Sequence, residues 1–287
     1  MSDLFPGAVP GAAQRRKIDT AHGRLATLEA RPADGIRVRG TAVLIPGYSG
    51  SKEDFTPLLA RIVADRYCAI CYDQRGQFES TGPRQAREYT IASFAADLRT
   101  VIDVVSDGQP VHLLGHSFGG LVARNLVIAK PALARSLTLL DSGPGGASLS
   151  HARLVSLLVW LIRLGGTRAL AAVTLRAVSR TGASQDQLLW IRHRLLRTKP
   201  ANLIGILQAT AAEPDRIAEL AATAVPVLVA FGENDDRWSP NTQLDMARRI
   251  GAAAVAIQDA GHMPNEDQPA ATAGAVLDFW KSVDARA

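Results

Sequence analysis

The stretch "PVHLLGHSFGG" (110–120) places a serine between an apolar run of strand length and a pair of glycines. The run 111–115, bounded by proline and glycine, reads as a buried strand, and the residues behind Phe118 carry a helical pattern. Ser117 therefore occupies a sharp strand-to-helix turn. Glycines at 115, 119 and 120 remove the side chains that would hold that strand and helix apart. A serine in such a turn either caps the helix or acts as a nucleophile.

Outward from this turn, apolar runs alternate with helical patterns along most of the chain. The clear strands are "TAVLI" (41–45), "YCAICY" (67–72), "VHLLG" (111–115), "SLTLLD" (136–141), "VPVLVAF" (225–231) and "AAAVAIQ" (252–258), with a weaker hairpin at 17–22 and 25–30. Helices are expected near 53–65, 91–106, 119–130, 240–250 and 267–282. The alternation predicts an α/β fold, an eight-stranded and mostly parallel sheet flanked by helices. Between Gly145 and Ala222 no strand pattern occurs, only helical periodicity. The expected organisation is a flexible N-terminal arm (1–16), a core (17–144 and 223–287) and an inserted helical cap or lid (145–222).

Open sheets of this class place chemistry beyond the carboxyl ends of their strands. A serine hydroxyl is a weak nucleophile without a base and a group to orient that base. Of the six histidines, His262 in "DAGHMPNEDQP" stands just past the last strand. His22, His112, His116, His151 and His193 lie in the first hairpin, in a strand, beside the serine, or in the insertion. The acid belongs after the preceding strand, where "GENDD" offers Glu233, Asp235 and Asp236. Asp235 is preferred to Asp236, and Asp141 is a more remote choice. The order Ser117, Asp235, His262 differs from the orders of the chymotrypsin and subtilisin folds. An oxyanion requires backbone N–H donors, for which Phe118 and, from the loop "PGYSGS" (46–51), Tyr48 are the candidates.

Composition limits the alternatives. With 47% hydrophobic residues and 21% charged, the 287-residue chain has the make-up of a globular protein with a large core. The start "MSDLFPGAVPGAAQRRK" lacks the continuous apolar segment of a secretory signal. The longest apolar stretch, 154–162, has nine residues with Ser156 inside it, far short of the roughly 20 residues that span a bilayer, so no spanning segment is expected. The two cysteines, Cys68 and Cys71, imitate a CxxC site, but three residues apart on a strand they face opposite ways. Such sparse cysteine suits a reducing, cytoplasmic setting. Neither cofactor nor metal is called for.

The net charge of +5 is concentrated in the insertion, which holds ten basic residues against four acidic ones. No aromatic platform interleaves with them, so nucleic acid is not an expected partner. The segment "RLVSLLVWLIRLGG" (153–166) is apolar on nearly all sides, which suggests transient contact with a membrane or lipid surface through the cap. Oligomeric state is not legible in the sequence.

Five segments in order, "PGYSGS", "YDQRGQFES", "GHSFGG", "GENDD" and "AGHMPNEDQP", resemble the α/β-hydrolase superfamily from about residue 17 to 283. The resemblance implies Ser117 as nucleophile, His262 as base and then acid, Asp235 as its orienter, and the Tyr48 and Phe118 amides as oxyanion hole. It also implies hydrolysis of an ester or related acyl bond in a small-molecule substrate. Lactonases, carbon–carbon bond hydrolases, acyltransferases and triad-bearing receptors of the same fold are the alternatives. Haloalkane dehalogenases and epoxide hydrolases of the superfamily carry aspartate where this chain has Ser117. Two departures stand out: Pro46 replaces a common histidine, and Gln77-Phe78-Glu79 replaces the usual His-Gly pair.

Overall fold

The computed structural model describes residues 13–145 and 149–286. Most of the expected arm (residues 1–12) lies outside the described residues, as do 146–148 at the start of the insertion. Gln14 to Arg16, expected within the arm, belong to the sheet instead, where they pair with Glu29 to Thr27. The eight strands are β1 (Gln14–Thr20), β2 (Gly23–Ala30), β3 (Gly40–Ile45), β4 (Tyr67–Tyr72), β5 (Val111–His116), β6 (Ala134–Leu140), β7 (Val227–Gly232) and β8 (Ala253–Ile257). Their order across the sheet is β1-β2-β4-β3-β5-β6-β7-β8. The β1–β2 and β2–β4 pairs are antiparallel, and every later pair is parallel.

The crossover helices are α1 (Thr56–Ala64), α2 (Ile91–Val105) and α3 (Phe118–Ala129). After β6 come α4 (Leu149–Val178), α5 (Gln185–Arg197), α6 (Pro200–Ala212) and α7 (Ile217–Ala221), and then α8 (Pro240–Ile250), α9 (Pro264–Asp267) and α10 (Pro269–Asp284). Proline at the first helical position opens α6, α8, α9 and α10, where its missing N–H costs nothing. The helix expected near 267–282 corresponds to α10, and the short α9 goes unread because its four residues, PNED, carry no apolar residue to mark a buried face.

Alternation along the strands divides the core into two apolar layers. Val43, Ile45, Leu113, Leu137 and Leu139 face one layer. Ala42, Leu44, Leu114 and Leu140 face the other, with Trp280 of α10. Cys68 and Cys71 fall in different layers and are free thiols. A third cluster, which includes Val159, Ile162, Leu170, Leu195 and Leu203, holds the inserted helices together.

The insertion is fastened to the core at the α5–α6 junction. Arg194 pairs with the buried Asp54. The Lys199 amide donates to the Gly76 carbonyl at 2.9 Å, and the Asn202 side chain donates to the Arg75 carbonyl at 2.7 Å. Helix α4 is broken at Gly166, whose φ of 62° and ψ of −161° are not helical.

Candidate active site

Ser117 has φ 51° and ψ −118°, a backbone state that costs a non-glycine residue about 1–3 kcal/mol and persists only when its surroundings enforce it. Its amide donates to the Leu140 carbonyl at 2.9 Å, which ties the turn to β6. A methyl carbon added at Gly115 would lie 2.5 Å from the Gly119 carbonyl oxygen, and one at Gly119 would lie 2.2 Å from that of Ile45. Strand, helix and the loop after β3 therefore meet only because these positions carry no side chain.

The loops after β7 and β8 bring the other two groups to this turn. The Asn234 amide donates to the Ala260 carbonyl at 2.9 Å and locks the two loops together. His262 Nε2 lies 3.1 Å from Ser117 Oγ, and His262 Nδ1 lies 2.9 Å from Asp235 Oδ1. With Nδ1–H donating to the carboxylate, Nε2 is left to accept the serine hydroxyl proton. Ser117, Asp235 and His262 thus form one hydrogen-bonded chain, whereas Asp236 is exposed and pairs with Arg237.

Asp235 is held from several sides. Its Oδ1 also accepts from the Arg237 amide at 2.8 Å, and its Oδ2 accepts from Gln243 Nε2 at 3.0 Å. Burial opposes ionisation, but the hydrogen bond from His262 prevails and holds this carboxyl below its ordinary value. Asp141, at the end of β6, sits beside it: the polar atoms of Asp141, Asp235 and His262 lie within 4.8 Å of one another. Burial, and then the charge of Asp235, push Asp141 up to about 9. At neutral pH it is therefore a neutral acid able to donate to Asp235, while its own Oδ1 accepts from the Gly232 amide at 3.0 Å. N–H donors from residues 232, 237 and 243 already occupy Asp141 Oδ1 and both oxygens of Asp235. Such a donor set suits hydrogen bonding and leaves little for a cation.

The model of the Alpha/beta hydrolase family matches residues 42–275. The chain belongs to this family. A relative named "Putative carbamate hydrolase RutD", from Variovorax paradoxus (strain S110), is 35% identical over 111 residues, which are 39% of this chain and 40% of that protein. The chain spans less than half the length of several curated relatives that it matches. Two solved structures share the fold over nearly all of both chains. A thermophilic esterase from Thermogutta terrifontis superposes with TM-score 0.80 at 24% identity, over 95% of this chain and 100% of that one. An enol-lactonase from Burkholderia xenovorans LB400 gives 0.79 at 21%, over 93% and 100%.

Both candidate oxyanion donors border the serine of this family member. Phe118 is the first residue of α3, where amides have no intrahelical acceptor. The loop carrying Tyr48 abuts the turn at Ser117, since a methyl carbon at Gly47 would lie 3.1 Å from Ser117 Cβ. Two glutamines hold the carbonyls of that loop: Gln74 Nε2 donates to Pro46 at 2.8 Å and Gln77 Nε2 donates to Gly47 at 2.8 Å. In a trans peptide the C=O and the following N–H point opposite ways. Drawing the Gly47 carbonyl toward Gln77 therefore turns the Tyr48 N–H away from it.

Gln77 is the departure that the sequence displayed without a reason, and its buried side chain supplies one. The sequence marks His116 only as a neighbour of the serine. Its Nε2–H donates to the His262 carbonyl at 2.7 Å, and burial followed by the nearby His262 pushes it down to about 3, so it stays neutral. Gln243 carries no signal in the sequence, being one polar residue in an amphipathic helix.

Proposed function

We propose that this hydrolase cleaves carboxylic esters of small, apolar-chain acyl substrates through an acyl-enzyme on Ser117. The observation that carries the reading is the continuous hydrogen-bonded chain from Ser117 through His262 to Asp235, set on a strained turn. Ser117 Oγ attacks the acyl carbon while His262 Nε2 takes its proton, and Asp235 stabilises the imidazolium. The Tyr48 and Phe118 amides hold the oxyanion. Collapse expels the alcohol, which receives the proton from His262, and a water molecule repeats the sequence to free the acid.

The apolar-chain preference rests on the insertion. Tyr48 packs against the insertion's apolar cluster, with Val155, Leu158 and Leu207 nearby, so the covering helices bring hydrocarbon to the oxyanion loop. The insertion acts in this reading as a lid. The two buried free thiols suit a reducing compartment, and we place the reaction in the cytoplasm.

Helix α4 also offers a lipid-facing surface. Contrary to the nine-residue limit read from the sequence, 153–178 is long and apolar enough to cross a bilayer. The break at Gly166 and the burial of Val159, Ile162 and Leu170 instead favour lying along an interface. Leu157, Trp160 and Leu164, at helical spacing, are 60%, 61% and 68% exposed.

A fluorophosphonate probe followed by a p-nitrophenyl ester series tests the reaction. Labelling and many turnovers are expected for the native chain, with both lost in Ser117→Ala and turnover reduced at least about a thousandfold in His262→Ala. Labelling with release of a single equivalent would mark a receptor instead. Equal rates from acetyl to decanoyl would remove the apolar-chain preference.

A further inference from the structure

At the end of the sheet opposite Ser117, a pocket of about 290 Å³ is lined by Arg37, Val38, Arg39, Arg66, Arg135 and Asp284. Arg39 and Arg66 immediately precede β3 and β4, and Arg135 is the second residue of β6. Ser117 instead follows the far end of β5, roughly 16 Å along that strand at about 3.3 Å per residue. The Arg39 amide donates to the Arg66 carbonyl at 2.8 Å, so the two loops that carry these arginines are fixed side by side.

Asp284 is the one acid in the lining, and its charge is already spent. Its Oδ1 accepts from Arg135 at 2.7 Å and lies 3.3 Å from Nε2 of the buried His112. Its Oδ2 accepts from the Tyr67 hydroxyl at 2.6 Å. Arg37, Arg39 and Arg66 form no ion pair among the described residues. Three arginines with no ion pair among the described residues thus line one concavity.

Gathering like charges raises the local potential and is relieved when an anion settles among them. The planar fork of a guanidinium matches phosphate oxygens in pairs, with charge-assisted hydrogen bonds stronger than neutral ones. Three such forks around a pocket of this volume outnumber what a single phosphate needs and suit two linked ones. We propose that this pocket binds a diphosphate-bearing small molecule, inorganic or nucleoside-linked, independently of the chemistry at Ser117.

Isothermal titration of the full chain with inorganic pyrophosphate, and in a second arm with ADP, tests the site at low ionic strength. The expected result is saturable binding of one equivalent. It should weaken at least about tenfold in the double variant Arg37→Gln/Arg39→Gln and weaken again as salt is raised. Both side chains are exposed, so the double variant should keep the Tm of the ligand-free native protein. If its Tm falls, Arg66→Gln takes its place in the same titration. ADP binding tighter than pyrophosphate would show that a nucleoside is read as well, and equal affinities would assign recognition to the diphosphate alone. Absence of saturable binding in both arms, or affinity unchanged in a folded variant, overturns the proposal.

Discussion

Two side chains at the site make sharp residue-scale predictions. Gln77 touches no reacting atom: its Nε2 fixes the Gly47 carbonyl, and its Oε1 accepts from the Gln74 amide at 3.0 Å. In Gln77→Leu the Tyr48 peptide should lose its fixed direction, lowering kcat about 10- to 100-fold with little change in KM, since the oxyanion exists only in the transition state. Equal effects on kcat and KM would reduce Gln77 to a structural role. For Asp141 the folded protein raises the carboxyl from 3.8 to about 9. Between those values the folded chain holds a proton that the unfolded chain has released, so stability falls as pH climbs from about 4 toward about 9. Asp141→Asn keeps a donor for Asp235 and removes that titration. The variant should have a higher Tm than the native protein at pH 8, with a gap that closes as pH is lowered toward 4. A gap independent of pH would mean that Asp141 does not carry this proton.

At the scale of elements, the α5–α6 junction is the rigid tether of the insertion and α4 is its loosely held part. Arg194 and Asp54 are 10% and 1% exposed, and removing one partner of such a pair leaves a buried charge uncompensated. Arg194→Met should therefore destabilise the fold by about 3–5 kcal/mol in chemical denaturation. Adding Asp54→Asn should recover part of that loss; no recovery would show that packing around Arg194, not its charge, holds the junction. The residues that build this tether were unreadable one by one. Arg194 looks like any basic residue in a basic helix, and its partner lies 140 positions away.

For the whole molecule, the charge is distributed with a direction. The exposed stripe Leu157, Trp160 and Leu164 lies on a helix whose charged residues are Arg153, Arg163, Arg168 and Arg176, with no acid among them. An apolar stripe edged by arginine is the pattern that settles on anionic lipid. The chain should co-sediment with vesicles containing phosphatidylserine, bind phosphatidylcholine vesicles more weakly, and release as salt is raised. Replacing Leu157, Trp160 and Leu164 by serine should reduce binding at least about tenfold, since each side chain contributes about 1.5–3 kcal/mol if fully buried. Equal affinity for both vesicle types would remove the role assigned to the arginines.

What the sequence determined by itself was local or ordinal. The alternation that divides the sheet into two layers, the glycines that permit the turn at Ser117, and the succession of serine, acid and histidine past three strand ends all follow from short-range sterics and periodicity. Tertiary structure alone decided which distant polar groups meet. Gln77 against the Gly47 carbonyl, His116 beneath the His262 main chain, Asp141 beside Asp235, and three arginines around one pocket depend on how loops from separate strands are packed. Periodicity carries information across a few residues, whereas the buried contacts among these are fixed by polar groups that must find a partner wherever the fold places one, and the exposed arginines are gathered only by the loops that carry them.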